Sequence, residues 1–144
     1  MISEFLDQPI GASKYFKWKE ALYLKQWDVH AFPKSDSVYL NIIEVSNRLT
    51  LIREFLQKPL LVTSWYRPEK YNTFIRGAFN SSHKDGLAVD VVCPAMGAEE
   101  VRMTLLDKLD EFNIRMENLP NSTWVHIDIR VTEGMTISQR FFKP

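Results

Sequence analysis

The sequence predicts an α+β fold with a small, mainly antiparallel sheet flanked by helices. Apolar residues recur at steps of three and four over 38–57 and again over 98–112, which is typical of amphipathic helices. Short runs typical of β-strands occur at 60–64, 87–93 and 124–130, and long turn-rich segments separate them. Because helices and strands are partly segregated along the chain, this pattern favours the α+β class.

The N-terminal segment is predicted to contain one short helix followed by a loop. Aromatic and charged residues mix over 13–23, and we expect a helix that begins near Lys17. The segment 26–37 is rich in turn-forming residues and is predicted to be a loop. Its lone histidine, His30, is interpreted as an ordinary loop or packing residue and is left out of any functional site.

The longest predicted helix covers 38–57 and ends before Pro59. A short apolar run at 60–64 follows the proline and is interpreted as a buried strand. The helix presents one apolar stripe, which consists of Ile42, Val45, Leu49, Ile52 and Leu56.

The second half of the chain is predicted to contain a strand followed by a helix. The strand at 87–93 is closed by Pro94, and the helix over 98–112 carries Glu99 and Glu100 where the positive end of its dipole favours acids.

The last strong strand prediction lies near the C-terminus. After a turn-rich stretch at 118–122, residues 124–130 alternate between apolar and polar side chains as a half-buried strand does. The tail is expected to add an edge strand around 139–142.

Composition indicates one ordinary globular domain over residues 1–144. Lysine and arginine total 18 and aspartate and glutamate total 18, so the formal net charge is zero and the sequence lacks the positive charge typical of nucleic-acid-binding domains. Its single cysteine, Cys93, excludes an internal disulfide framework.

The sequence also lacks the marks of export or membrane insertion. Two acids, Glu4 and Asp7, stand where a secretory signal carries basic residues, and no apolar stretch approaches the roughly 18 residues that span a bilayer. We therefore expect the chain to stay where it is made unless another protein releases it.

Two predicted strands each place polar residues on one face among apolar neighbours. Alternation sets Ala88 and Asp90 on one face of the first strand, and His126 and Asp128 on one face of the second. A buried carboxylate or imidazole is costly unless it is paired or coordinated, and a divalent metal satisfies both. We also expect a turn at Gly86 to fold the preceding histidine back over the first strand.

Two imidazoles and one carboxylate form a known ligand set for catalytic zinc. The candidate ligands are His83, Asp90 and His126. Taken singly, each has an ordinary alternative: Asp90 would cap a strand or pair with Arg130, and the histidines would be hydrogen-bonded core or surface residues.

The chain resembles the M15 zinc peptidases, the group of D-Ala-D-Ala carboxypeptidases and phage L-alanyl-D-glutamate endopeptidases that shares its fold with the hedgehog signalling domain. The resemblance covers about residues 15–131. The family pattern Ser-x-His-x-x-Gly-x-Ala-x-Asp is complete, and a later His-x-Asp pattern is present; they consist of Ser81, His83, Gly86, Ala88 and Asp90, and of His126 and Asp128.

Three further segments are similar to the family. Residues 64–68, Ser-Trp-Tyr-Arg-Pro, resemble its Ser-x-Tyr-Arg segment, and 76–78, Arg-Gly-Ala, resemble its Gly-Gly-Ala with one glycine replaced. Residues 16–20 are similar to the start of phage-type members.

This resemblance implies a hedgehog/DD-peptidase-like fold with zinc held by His83, Asp90 and His126. It further implies that Arg67 polarises the scissile carbonyl or holds a substrate carboxylate, and a guanidinium beside a metal suits an oxyanion on physical grounds as well. Ser81 is expected to line the site and to bind substrate or support a ligand, although a plain turn serine is an equal alternative.

One position departs from the family pattern. Many members carry an acid three residues before the last histidine, where it acts as general base, and here that residue is Thr123, which cannot accept a proton near neutral pH. Glu117 and Asp128 are the candidate replacements. Asp128, on the face of His126, is also placed to orient a ligand imidazole.

Two functions follow from these observations. The first is a zinc-dependent peptidoglycan peptidase, expected to be phage-encoded, that cuts a stem peptide beside a D-residue and acts after release from the host cytoplasm or from the phage virion. The second is a virion structural or binding module that keeps the fold, contacts other virion proteins and has lost turnover, for which Thr123 is the main support.

Overall fold

A computed structural model describes residues 1–144 and confirms the predicted α+β class, with six α-helices and two sheets. The helices are α1 (Ile2–Leu6), α2 (Trp18–Leu22), α3 (Asp36–Leu56), α4 (Glu69–Phe74), α5 (Ala98–Leu105) and α6 (Ile137–Arg140). The strands are β1 (Tyr23–Leu24), β2 (Val29–His30), β3 (Leu61–Ser64), β4 (Ala88–Val92), β5 (Arg115–Glu117), β6 (Val125–Asp128) and β7 (Phe141–Phe142). Short 3₁₀ turns cover Ser82–Asp85 and Leu106–Lys108.

The main sheet has five strands in the order β3-β4-β6-β5-β7. All neighbours are antiparallel except β5 and β7, which are parallel. The three strands that the sequence predicts are β3, β4 and β6, and they are adjacent. The interpretation of 60–64 as a buried strand is wrong, because β3 lies at the edge of the sheet and Leu61 is 54% exposed. Strands β1 and β2 form a separate two-stranded ribbon.

The core lies between the apolar face of this sheet and α3. The predicted stripe of α3 is buried along its whole length, from Ile42 to Leu56, and it belongs to the same cluster as Val89 and Val91 of β4 and Ile127 of β6. Burial of one such aliphatic side chain contributes about 1.5–3 kcal/mol. The alternation of each strand turns its polar residues to the opposite face, where the candidate site lies.

The ends of α3 follow ordinary capping rules. The Ser35 side chain accepts a hydrogen bond from the backbone N–H of Ser37, and Gln57 ends the helix in the left-handed conformation with φ 54°. The helix therefore ends before Pro59, as predicted. No helix of the protein combines the length and apolar character that crossing a membrane requires.

Some elements differ from the sequence predictions. The helix predicted over 98–112 ends at Leu105, because a 3₁₀ turn and a left-handed Asn113 carry the buried Leu109 and Phe112 into the core without a continuous helix. The spacing of the apolar residues Leu109 and Phe112 therefore reflects their burial and does not show that the helix continues. The segment 26–37 contains the two-residue strand β2, which pairs with β1.

The C-terminal third contains two features that the sequence predictions lack. The edge strand expected around 139–142 is limited to β7, because a capping box at Thr136 and Gln139 starts the short helix α6. Strand β5 was not predicted, since it has only three residues and only Met116 is buried.

Candidate metal centre

Strand pairing brings two of the candidate ligands together. Asp90 of β4 lies directly opposite His126 of β6, and Ala88 lies opposite Asp128. On its other side, Asp90 lies opposite Ser64 of β3. The small side chain of Ala88 leaves room beside Asp90 on this face of the sheet.

The third candidate ligand, His83, is placed by a 3₁₀ turn. The Ser81 hydroxyl accepts a hydrogen bond from the backbone N–H of His83, and Gly86 closes the turn with φ 73°. A Cβ on Gly86 would lie 3.0 Å from Ile42 and 3.1 Å from Val38, so the turn packs directly on α3. This geometry explains the need for glycine at position 86.

The side chains of His83, Asp90 and His126 converge on one point. One ligand atom from each lies within 4.8 Å of the other two. Oδ1 of Asp90 lies 3.1 Å from Nε2 of His83 and 2.9 Å from Nδ1 of His126, and the two imidazole centroids are 5.1 Å apart. His83 and Asp90 are buried, and the His126 side chain is 11% exposed.

The outer nitrogen of each imidazole has its own hydrogen-bond acceptor. Nδ1 of His83 donates to the carbonyl oxygen of Trp65 at 2.7 Å, and Nε2 of His126 donates to Oδ2 of Asp128 at 3.1 Å. In the neutral form of each imidazole, a proton fixed on the outer nitrogen leaves the inner nitrogen with the lone pair that a metal requires.

Asp128 is itself held in place by Arg115 of β5. Arg115 donates through Nε to Oδ1 at 2.8 Å and through Nη2 to Oδ2 at 3.0 Å, and Asp128 is fully buried. Such a bidentate pair fixes the carboxylate plane. Asp128 thus accepts hydrogen bonds from Arg115, from His126 and from the backbone N–H of Arg130.

Burial and neighbouring charges shift the pKa values of the two imidazoles in opposite directions and lower that of the carboxylate between them. Burial lowers the pKa of His83, which therefore favours the neutral ligand form. Burial acts against the charged form of Asp90 as well, but its contacts with His83 and His126 outweigh burial and lower the pKa of Asp90 well below its usual range. For His126, hydrogen bonds to Asp128 and Asp90 outweigh the lowering by burial and raise the pKa to about 9.

Arg67, which the family resemblance assigns to the scissile carbonyl or to a substrate carboxylate, forms an ion pair with Asp90. Nη2 of Arg67 donates to Oδ2 of Asp90 at 3.0 Å, and Nε donates to the Ser64 hydroxyl at 2.9 Å. The alternative pairing of Asp90 with Arg130 does not occur, because Arg130 donates instead to the carbonyl of Asn80. The Nη1 group of Arg67 has no protein partner.

A cavity of about 350 Å³ opens beside the cluster. Glu117 lies in its wall, because the pairing of Arg115 with Asp128 and of Met116 with Ile127, continued by one residue, sets Glu117 opposite His126. Thr123 is exposed and does not line this cavity. The lining consists of Arg67, Arg76, Ala78, Ser81, His83, Asp90, Glu117, Trp124 and His126.

Sequence reasoning gave no functional role to Trp124 or Arg102. Trp124 lines the cavity, and the buried Arg102 of α5 donates to the backbone carbonyls of Trp124, Ser122 and Pro120. Arg102 therefore fixes the loop that leads into β6. The available signal in the sequence was Arg102 itself, a charged residue that lies next to an apolar position of the predicted helix.

His30 lies outside this cluster, as expected. It is exposed on β2, where its ring packs against Tyr23. The other two histidines of the chain are the two candidate ligands.

The cluster suits a divalent metal ion. Two imidazole nitrogens and a carboxylate oxygen converge, and each ligand has a supporting hydrogen bond outside the cluster.

Comparison with known proteins gives one family: the family model described as Peptidase M15 matches residues 14–128. No curated protein matches the chain.

Proposed function

The chain belongs to the peptidase M15 family, and from this premise we propose that it is a zinc-dependent peptidase that hydrolyses a stem-peptide bond of peptidoglycan beside a D-amino acid. The observation that carries the proposal is the convergence of His83, Asp90 and His126 at a cavity that also contains Arg67 and Glu117. Metal ligands, a cation and a free carboxylate are the groups that peptide hydrolysis requires.

In this proposal zinc would be held by Nε2 of His83, Nδ1 of His126 and the carboxylate of Asp90. When bound there, it would supply Lewis-acid chemistry toward the scissile carbonyl and the attacking water. Asp128 and the carbonyl of Trp65 hold the two imidazoles in the ligand tautomer.

Glu117 is the proposed general base. Its carboxylate takes a proton from the attacking water as the new C–O bond forms, and passes that proton to the amine nitrogen as the C–N bond breaks. Asp128 is less suited to this role, because both of its oxygens already accept hydrogen bonds from Arg115.

Arg67 holds Asp90 in place and also stabilises negative charge on the substrate. Its Nη2 donates to Oδ2 of Asp90 and orients that carboxylate. Its Nη1 carries donors without a protein partner, and these suit the oxygen of the scissile carbonyl as charge develops there.

The choice of peptidoglycan rests on the motif formed by residues 81–90 and on the resemblance of residues 16–20 to phage-type members. We propose that the protein is phage-encoded. It would reach the cell wall after release from the host cytoplasm or as part of the virion.

One observation favours a second function, a virion module that binds without turnover. Thr123 occupies the position where many family members carry the catalytic acid. Glu117 in the cavity wall supplies a carboxylate that Thr123 lacks, and for this reason we prefer the enzyme.

Metal analysis combined with digestion of purified peptidoglycan tests this function. We expect about one zinc per chain and release of stem-peptide fragments, detected by mass spectrometry, that a chelator abolishes and zinc restores. His83→Ala removes a ligand and should lose both zinc and activity, whereas His30→Ala, the matched control, should keep both. A metal-loaded protein that releases no fragment from any peptidoglycan type would instead support the binding module.

A further inference from the structure

Arg76 is the one arginine of the metal-site cavity without an anionic partner. Arg67, the other arginine in the lining, pairs with Asp90. The guanidinium of Arg76 forms no hydrogen bond, ion pair or cation–π contact within the protein, although it belongs to an exposed residue beside the candidate metal ligands. Its charge is therefore available to a ligand.

The backbone at Arg76 is held in a conformation that arginine seldom adopts. Its φ is +60°, in the left-handed region that favours glycine. Like Gln57 at the end of α3, Arg76 follows a helix, α4, and the end of a helix is a common place for this conformation. The family segment that residues 76–78 resemble begins with glycine, a residue that adopts this conformation without strain.

The turn that carries Arg76 is built rigidly. The backbone N–H of Arg76 donates to the carbonyl of Thr73 at 3.0 Å, and that of Gly77 donates to the carbonyl of Asn72 at 2.8 Å. The side chain of Asn72, which is only 3% exposed, donates to the carbonyl of Ala78 at 2.9 Å. A Cβ on Gly77 would lie 2.0 Å from Oδ1 of Asn72, so the turn and this side chain fit closely together.

A fixed turn with a free guanidinium at the wall of a reaction cavity is suited to anion recognition. The planar fork of arginine matches a carboxylate with two parallel hydrogen bonds. The cavity volume of about 350 Å³ lies at the small end of ligand sites, so an anion bound there belongs to a residue close to the reacting bond.

We propose that Arg76 is a specificity-determining residue that binds a carboxylate of the substrate peptide next to the scissile bond. This inference rests on the proposed peptidase function and narrows its substrate class to peptides with a free carboxylate at that position. Peptides of the same sequence in which this carboxylate is replaced by an uncharged carboxamide are poor substrates.

Paired synthetic stem peptides test the inference, each pair differing only in whether one carboxylate is converted to a carboxamide. In the wild type, conversion of the recognised carboxylate should lower kcat/KM by about tenfold to a hundredfold. In Arg76→Gln the carboxylate and carboxamide peptides should react at similar rates, because glutamine has no positive charge that favours the carboxylate. Arg76→Lys should recover part of the preference.

Two controls separate recognition from general effects. Lys58→Gln removes the same charge at an exposed position outside the cavity and should keep the wild-type preference. Arg76→Gly releases the left-handed strain, so its loss of preference should come without a loss of thermal stability.

Binding of the same peptides, measured by calorimetry, distinguishes failure of this inference from failure of the proposed function. If the wild type hydrolyses peptides but the acid preference is equal in wild type and Arg76→Gln, the inference is wrong and the peptidase function stands. If no peptide is hydrolysed, the peptidase function is wrong, and a binding preference for the acid that disappears in Arg76→Gln would still support Arg76. Equal binding of acid and amide by both proteins would overturn it.

Discussion

Nε2 of His126 lies 3.1 Å from Oδ2 of Asp128, two residues further along the same strand. The alternation of β6 puts both side chains on one face, and Arg115 from the neighbouring strand fixes the carboxylate. Asp128 thereby determines which imidazole nitrogen of His126 carries the proton and which is free to bind a metal.

Replacement of Asp128 by asparagine tests this orienting role. Asp128→Asn should lower zinc affinity by about 10- to 100-fold. The imidazole of His126 loses its anionic acceptor, and the NH₂ group of asparagine cannot accept the hydrogen bonds that Arg115 donates. Competition with a chromophoric chelator measures the affinity, and Asp7→Asn, at an exposed ion pair with Lys19, is the control. Unchanged affinity in Asp128→Asn would remove Asp128 from the support of the metal.

The role of Glu117 is separable from metal binding. Glu117→Gln should lower turnover by about 10²- to 10⁴-fold while zinc content stays unchanged, since the carboxylate moves a proton and is not a ligand. Glu133→Gln, at an exposed position outside the cavity, should keep full activity. Full activity in Glu117→Gln would exclude it as the base, and Asp128→Asn would then show whether that carboxylate substitutes.

The raised pKa of His126 predicts how stability depends on pH when metal is removed by a chelator. The folded-state pKa of about 9 lies above the ordinary value of 6.5, so the stabilising contribution of imidazolium is complete below pH 6.5 and is lost as pH rises to 9. The free energy of unfolding should fall by roughly 3 kcal/mol over this range.

Urea unfolding at pH 6.5 and pH 9 measures this change. Saturating zinc should flatten the dependence, because the metal replaces the proton on Nδ1. His126→Ala should flatten it too, and a wild-type protein whose stability in chelator does not change over this interval would contradict the assignment.

Gly86 and Gly134 form a matched pair for testing how closely the turn that carries His83 packs against α3. Both have positive φ, at 73° and 78°, but only Gly86 lacks space for a Cβ. Alanine at either position should cost about 1–2 kcal/mol of strain, and Gly86→Ala should cost about 1–3 kcal/mol more from overpacking against α3. Denaturant unfolding measures both, and equal losses would show that the contact with α3 is unimportant.

The polar faces of the two ligand strands were predictable because alternation is a local property. Asp90 and His126 each stand between apolar neighbours, so the sequence alone assigns them to a face. Their direct cross-strand pairing was not predictable in detail, because register depends on both strands and on the distant β3 and β5.

Longer-range contacts account for what the sequence predictions lack. The ion pair of Arg67 with Asp90 joins two segments 23 residues apart, and nothing local distinguishes it from the alternative with Arg130. Glu117 reaches the site as the last residue of β5, a strand too short to show a period in the sequence.

The most direct test of the metal centre is an anomalous-scattering map at the zinc absorption edge from a crystal of the metal-loaded protein. We expect one strong peak, at roughly 2.0–2.2 Å from Nε2 of His83, Nδ1 of His126 and a carboxylate oxygen of Asp90. A peak bound by other residues, or by the outer imidazole nitrogens that now face Trp65 and Asp128, would contradict the account.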